Sequence, residues 1–357
     1  MSFIKIYFLY IIKHYIKNFL AILMGLTLSF SIINYFQNAF LLEKGFNNQI
    51  LYIYYISQEA LSTLYPLAII FSAIITKINF IKNNTMVSMY SFGYSKKDII
   101  FPFLILSLSV HLIFVYLHTT EFSYASENAK SLYKDNQNSY SKRDMFFKYN
   151  NSFVYIKSLN PIKKEAYDIK IFTLNDSQLI STISASKAIF NGKVWKAEKI
   201  NIKKQVYKDG HLQRVIIENK KYLDTLKDYK PKIIDQIYEG KSLNIVDAYD
   251  GLRLLNAQNL DSYKMRSAIY TKLFYPIFSI CLVIIMFIKM PSYARFMNIS
   301  LVVSALLGVT FLVWGVLFSL NQIGFSGTII PELTSILPII LLIVYSFTLY
   351  LKSDNKI

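Results

Sequence analysis

Apolar and polar positions follow two different patterns along this chain. Runs near the length that an α-helix needs to cross a bilayer cover about 19–42, 52–76 and 99–117, then 267–288, 299–320 and 333–351. Between the two groups, from about Glu121 to Arg266, no apolar run is that long. That stretch instead carries strand-like segments at 146–157, 166–174, 178–190, 193–207 and 212–223, separated by the turn-like pieces LNP, LNDS, FNGK and KDGH. Such spacing predicts a sandwich, a jelly roll or a curved sheet. From Gly240 to Lys264, Leu243, Val246, Leu252 and Leu255 recur at helical intervals, which predicts a helix leading back to the membrane. The expectation is a polytopic α-helical membrane protein of six transmembrane helices, three plus three, with an inserted all-β domain. Its boundaries fall at 1–120, 121–266 and 267–357.

Composition agrees. With 54% hydrophobic residues and a mean hydropathy of +0.34, the chain is too apolar for a soluble protein of 357 residues. The net charge of +17 admits nucleic acid or anionic lipid as a partner. No zinc-finger spacing or RNP-like string is present, so nucleic acid is not expected. The basic, aromatic first eighteen residues are followed by no small-residue cleavage site, and the first span reads as retained. Asn34 and Gln37 interrupt that span, which predicts a face on protein or a cavity, and Pro66 predicts a kink in the second. Cys281 stands alone and cannot form an intramolecular disulfide.

Charge next to the spans gives an orientation. Lys5, Lys13, Lys17, Lys77, Lys82, Lys96, Lys97, Lys289, Arg295, Lys352 and Lys356 fall on one side, whereas the two short loops opposite hold only Lys44. Lysine and arginine favour the cytoplasmic side. Both termini are therefore expected inside and the large domain outside.

The stretch KINFIKNNTMVSMYSFGYSKKDIIFP, 77–102, then lies in the cytosol between the second and third spans. It combines basic flanks, a short amphipathic run (86–92) and a Gly-Tyr-Ser break (93–95). A short helix held between two membrane helices suits a partner ATPase that grips it. The chain has no nucleotide-binding loop of its own. The nearest string, EGKS at 239–242, has Asp235 where the first glycine belongs, and reads as a polar turn. His14, His111, His118 and His211 are scattered, with no HExxH and no GxSxG. No cofactor, metal or enzymatic activity is expected.

Lys272 lies inside the fourth span, where an ionisable group is a functional candidate, although a lysine near a span end also snorkels. Lys44, Lys264 and Arg266 lie near the outer face, as anion-binding groups or as a solvated rim. Glu59 and Glu332 read as interfacial, and Trp195 as a core aromatic of the sheet.

Four stretches resemble the lipopolysaccharide export permease family LptF/LptG (the YjgP/YjgQ type). They are the proline-bearing second span followed by NNTMVSMYSFGYSKKDIIFP, then SASKAIFNGKVW (184–195), YTKLFYPIFSI (270–280) and IPELTSILPIILL (330–342). In order, they cover nearly the whole chain. Thr85 stands where the family carries a glutamate, and the tryptophan usual before Pro338 is absent.

The resemblance implies a non-catalytic permease subunit of an ABC transporter, paired with a second permease subunit and driven by an LptB ATPase dimer. The inserted segment would be a periplasmic all-β jelly-roll-like domain, and lipopolysaccharide would leave the bacterial inner membrane and pass over such periplasmic jelly rolls to LptC and then LptA. The segment at 83–98 would couple to the ATPase through Thr85, Met86, Tyr90, Ser91, Gly93, Tyr94, Ser95 and Lys96. Lys44, Lys264, Arg266 and Lys272 would meet the anionic lipid. INYFQ (33–37) resembles the first span of LptG, which makes LptF the second permease. Two other readings stay open at this point: an ABC permease of the FtsX/MacB class, and a receptor or scaffold whose outer domain only binds partners.

Overall fold

The computed structural model describes residues 6–133, 142–150, 152–161, 163–175, 178–208, 211–231, 233–234, 243–292 and 298–353. The chain divides into two compact units. One comprises 1–129, 244–246 and 266–357, and the other 130–243 and 247–265.

Long helices build the first unit. α1 (Ile6–Asn38), α2 (Phe46–Lys82) and α4 (Lys96–Leu117) precede the second unit, with the short α3 (Thr85–Ser91) between α2 and α4. α5 (Ala125–Lys130) and α6 (Ile245–Ala257) flank the strands. α7 (Tyr263–Leu273), α8 (Ile277–Lys289), α9 (Ile299–Ser326) and α10 (Leu337–Lys352) close the chain. Five helical stretches are long and apolar enough to cross a membrane, and α7 with α8 makes a sixth if that pair, bent by 41°, is one span. Pro276 sits at the bend, where the missing proline amide breaks the helical ladder.

α1 starts earlier than its apolar run suggests. Lys13 and Lys17 are exposed on one face, while Ile11, Tyr15 and Phe19 recur every fourth residue on the buried one. The Tyr15 hydroxyl reaches the Ile69 carbonyl at 3.0 Å and Ser107 Oγ at 2.9 Å, tying α1 to α2 and α4. Asn34, one of the polar interruptions, accepts from the Tyr52 hydroxyl at 2.6 Å. That face packs on protein. α2 continues as one helix through Pro66.

The second unit holds one six-stranded antiparallel sheet in simple sequence order, β1 to β6. The strands are β1 (Lys142–Tyr149), β2 (Ser152–Asn160), β3 (Glu165–Asn175), β4 (Gln178–Phe190), β5 (Trp195–Lys208) and β6 (His211–Thr225). Register aligns Val154 with Ile171, Ile156 with Ile169, Ile169 with Ala185, and Ala185 with Ile200. All are buried, so the period-two pattern puts one face of the sheet against a core. The other face carries ion pairs such as Lys187–Glu165 at 2.8 Å. The Lys187 ammonium and the Tyr167 hydroxyl hold the Glu165 carboxyl below the ordinary glutamate range. Trp195 is fully buried, packs at a tilt against Phe190 and donates its indole N–H to the Tyr229 carbonyl at 2.6 Å, as a core aromatic does. Lys230 bonds Asp247 and Asp250 of α6 at 2.8 and 2.7 Å.

Candidate functional site

α3 and its two joints form the most defined feature at one end of the spans. α2 stops at Lys82, and Asn84, in the left-handed region with φ +57°, turns the chain into α3. α3 ends at Ser91 with Phe92 as its C-cap, and Gly93 takes φ +82°, a conformation that favours glycine. Ser95 then caps α4. Its hydroxyl accepts from the Asp98 amide, while the Asp98 carboxylate accepts from the Ser95 amide at 2.9 Å. This reciprocal pair is a capping box. The Gly-Tyr-Ser break is therefore a turn glycine followed by a helix cap.

The two faces of α3 differ. Met86 and Met89 are buried in the core of the helical unit. Tyr90 packs against that core and its hydroxyl lies 3.2 Å from Ser292 Oγ. The Tyr94 ring packs at a tilt against Tyr7 of α1, with centroids 4.1 Å apart. Of the sequence-expected coupling residues, Met86, Tyr90 and Tyr94 thus face the protein itself. Thr85, Ser95 and Lys96 are half-buried, and Ser91 and Gly93 are exposed. Sequence reasoning missed the outward apolar pair: Val87 is exposed, and Phe92 is 80% exposed. An exposed aromatic beside a buried methionine face was the available signal.

Lys77 is another surprise. It reads in the sequence as a flank charge, yet only 2% of it is exposed. Its ammonium donates to the Phe287 carbonyl at 2.6 Å and the Met290 carbonyl at 2.8 Å, and lies 4.4 Å from the Phe287 ring centroid.

At the opposite end of α7, α9 and α10, Arg266 bonds Glu332 at 2.7 Å, and the Tyr270 hydroxyl donates to the same carboxylate oxygen at 2.9 Å. Glu332 opens a single π-turn, Glu332–Ile336, that leads into α10. Ser335 donates to Asn321 of α9 at 2.5 Å, and a side chain at Gly324 would collide with Thr334. Helix α9 and the π-turn therefore approach closely at a glycine. Of the four expected lipid-binding cations, Arg266 is already paired. Lys44 is exposed in the connection between α1 and α2, and Lys264 and Lys272 are half-buried.

The EGKS string at 239–242 and the flank charges Lys5, Arg295 and Lys356 lie outside the described residues. Among the described residues no group of three or more His, Cys, Asp or Glu side chains could hold a metal ion.

Apolar spans before and after an inserted sheet, with a short helix between the second and third, define a multi-pass membrane protein. A sequence model of the family described as "Lipopolysaccharide export system permease LptF/LptG" matches residues 9–352, and the chain belongs to that family. It is a non-catalytic permease subunit of the ABC transporter that exports lipopolysaccharide, a multi-pass protein of the inner membrane. The FtsX/MacB-type and receptor readings fall away. No individual curated protein matches the chain.

Proposed function

We propose that the chain is the LptG-type subunit, with six spans in a three-plus-three arrangement, α7 and α8 together forming the fourth. Both termini and the 83–98 segment lie in the cytoplasm, and the 121–266 domain lies in the periplasm. An LptB ATPase dimer grips α3, LptF is the second permease, and the lipid passes over the sheet towards LptC and LptA. The sheet is the chain's share of a jelly-roll-like bridge. Among the described residues, β1 and β6 each pair on one side only, and β6 exposes Leu212, Val215, Ile217 and Tyr222. Edge strands of this kind accept a further strand.

The observation that carries the reading is the division of α3 between a buried Met86/Met89 face and an outward Val87/Phe92 face. Exposed aromatics that fill a partner pocket dominate the energy of many interfaces. Phe92→Glu is expected to lose the ATPase on purification in mild detergent while the chain keeps its melting temperature. A variant that still retains the ATPase at the wild-type ratio overturns the docking role of α3.

A further inference from the structure

Lys77 does more than mark the end of a span. The geometry points to it as a positioning residue that fastens the coupling segment to the fourth span, so that both move together. This rests on the reading of α3 as the element a partner ATPase moves.

The acceptors explain why the lysine is there. In a helix, the Phe287 carbonyl would take the amide of residue 291, but that residue is Pro291 and has no N–H. Met290 is the cap of α8, in extended conformation, so its carbonyl has left the helical ladder as well. Helix C-terminal carbonyls need donors from elsewhere. A cation there also meets the negative end of the helix dipole and the face of an aromatic ring. Lys77 meets all three conditions from a different helix, at a separation of 210 and 213 residues along the chain.

Its surroundings offer no cheaper arrangement. Ile70, Ala73, Ile74, Val283 and Met286 line the same pocket. Among the described residues, no carboxylate pairs with Lys77. Breaking the two bonds would leave the lysine Nζ and both helix-end carbonyls without partners in an apolar pocket, which is unfavourable. The tie is therefore stiff.

Its placement gives that stiffness a use. Lys77 lies five residues before the end of α2 at Lys82, and α3 begins at Thr85. Tyr90 of α3 makes a second contact with the same region, its hydroxyl 3.2 Å from Ser292, two residues beyond Met290. The coupling segment is thus fastened to the end of α8 at two points. A push on α3 then reaches the C-terminal half of the chain directly, and not only through α2 and α4.

The test uses the complete transporter, with its ATPase and second permease, in proteoliposomes, and reads lipopolysaccharide released per ATP hydrolysed. Lys77→Met keeps the length and fills the apolar pocket without donating to either carbonyl. The expected result is an assembled complex with near wild-type ATP turnover and a release-to-ATP ratio lowered on the order of tenfold, within the usual range for coupling between sites. Lys77→Gln, which keeps a shorter donor, should fall between. An unchanged ratio in Lys77→Met overturns the inference, as does an equal fall in turnover and release, which marks a purely structural residue. If Lys77→Met does not assemble, Lys77→Gln is read in the same way, and failure of both to assemble assigns Lys77 to folding alone. A wild-type complex that hydrolyses ATP without releasing lipid would instead count against the α3 reading beneath it.

Discussion

The cations proposed to meet the lipid are not equivalent, and their partners decide what each can do. Arg266 is held by Glu332 at 2.7 Å, so a phosphate must displace a carboxylate to reach it. Lys44 is exposed and must shed only solvent. Both members of the Arg266–Glu332 pair are about a third exposed, so solvent screening keeps its worth near or below about 1 kcal/mol. That is weak enough to be exchanged for a polyanion. Lys44→Glu is therefore expected to lower photocrosslinking of lipopolysaccharide to the complex, and Glu332→Gln to raise crosslinking near Arg266 by freeing the guanidinium. If Glu332→Gln leaves the yield unchanged, Arg266 is a structural cation and not a lipid ligand.

At the scale of elements, if α3 is the segment the ATPase moves, as proposed, the joint between α3 and α4 must not fray. The reciprocal bonds of Ser95 and Asp98 fix the start of α4, and Gly93 lets the chain turn just before it. Ser95→Ala is expected to cost about 1 kcal/mol of stability, the usual worth of a helix cap. At Gly93 a Cβ would meet no atom within 4 Å, but Gly93→Val strains a backbone at φ +82°, so it should reshape the elbow and weaken ATPase stimulation more than it lowers the melting temperature. Equal ATP turnover in wild type and Gly93→Val would show that the elbow tolerates another turn.

This elbow was readable in the sequence because glycine, serine and a following aspartate carry local chemistry. The strands β3 and β4 were readable for a similar reason, since alternation is local. The segment 146–157 was harder. It reads as one run, but the structure folds it into β1 and β2 around Asn150, which takes φ +51°. The start of α1 was hidden because Lys13 and Lys17 look like an end, although a helix can show charge on one face and bury Tyr15 on another. Lys77 was hidden more deeply, because its acceptors lie more than two hundred residues away. The proline that orphans one of them was in plain view, but nothing local connects Pro291 to Lys77.

For the whole molecule, the burial of Lys77 changes the charge argument without reversing it. Its charge is satisfied inside the helical unit, so it no longer counts as a flank residue facing lipid head groups. Lys13, Lys17, Lys82, Lys96, Lys97, Lys289 and Lys352 remain at the elbow end, whereas the short connection between α1 and α2 at the other end holds only Lys44. The connection from Gly327 to Pro331 carries no cation. That imbalance still favours an elbow in the cytoplasm. A labelling experiment checks it, helped by the fact that the single native thiol, Cys281, is buried and can be replaced by serine. Cysteines placed singly at Thr328 and Lys203, both exposed, should react with a membrane-impermeant thiol reagent added to spheroplasts. A cysteine at Ser91, exposed on α3, should react only after lysis. Labelling of Ser91→Cys in intact spheroplasts, with Lys203→Cys protected, would put the sheet in the cytosol. No ATPase inside the cell could then reach α3, and the route from ATP to an exported lipid would have no beginning.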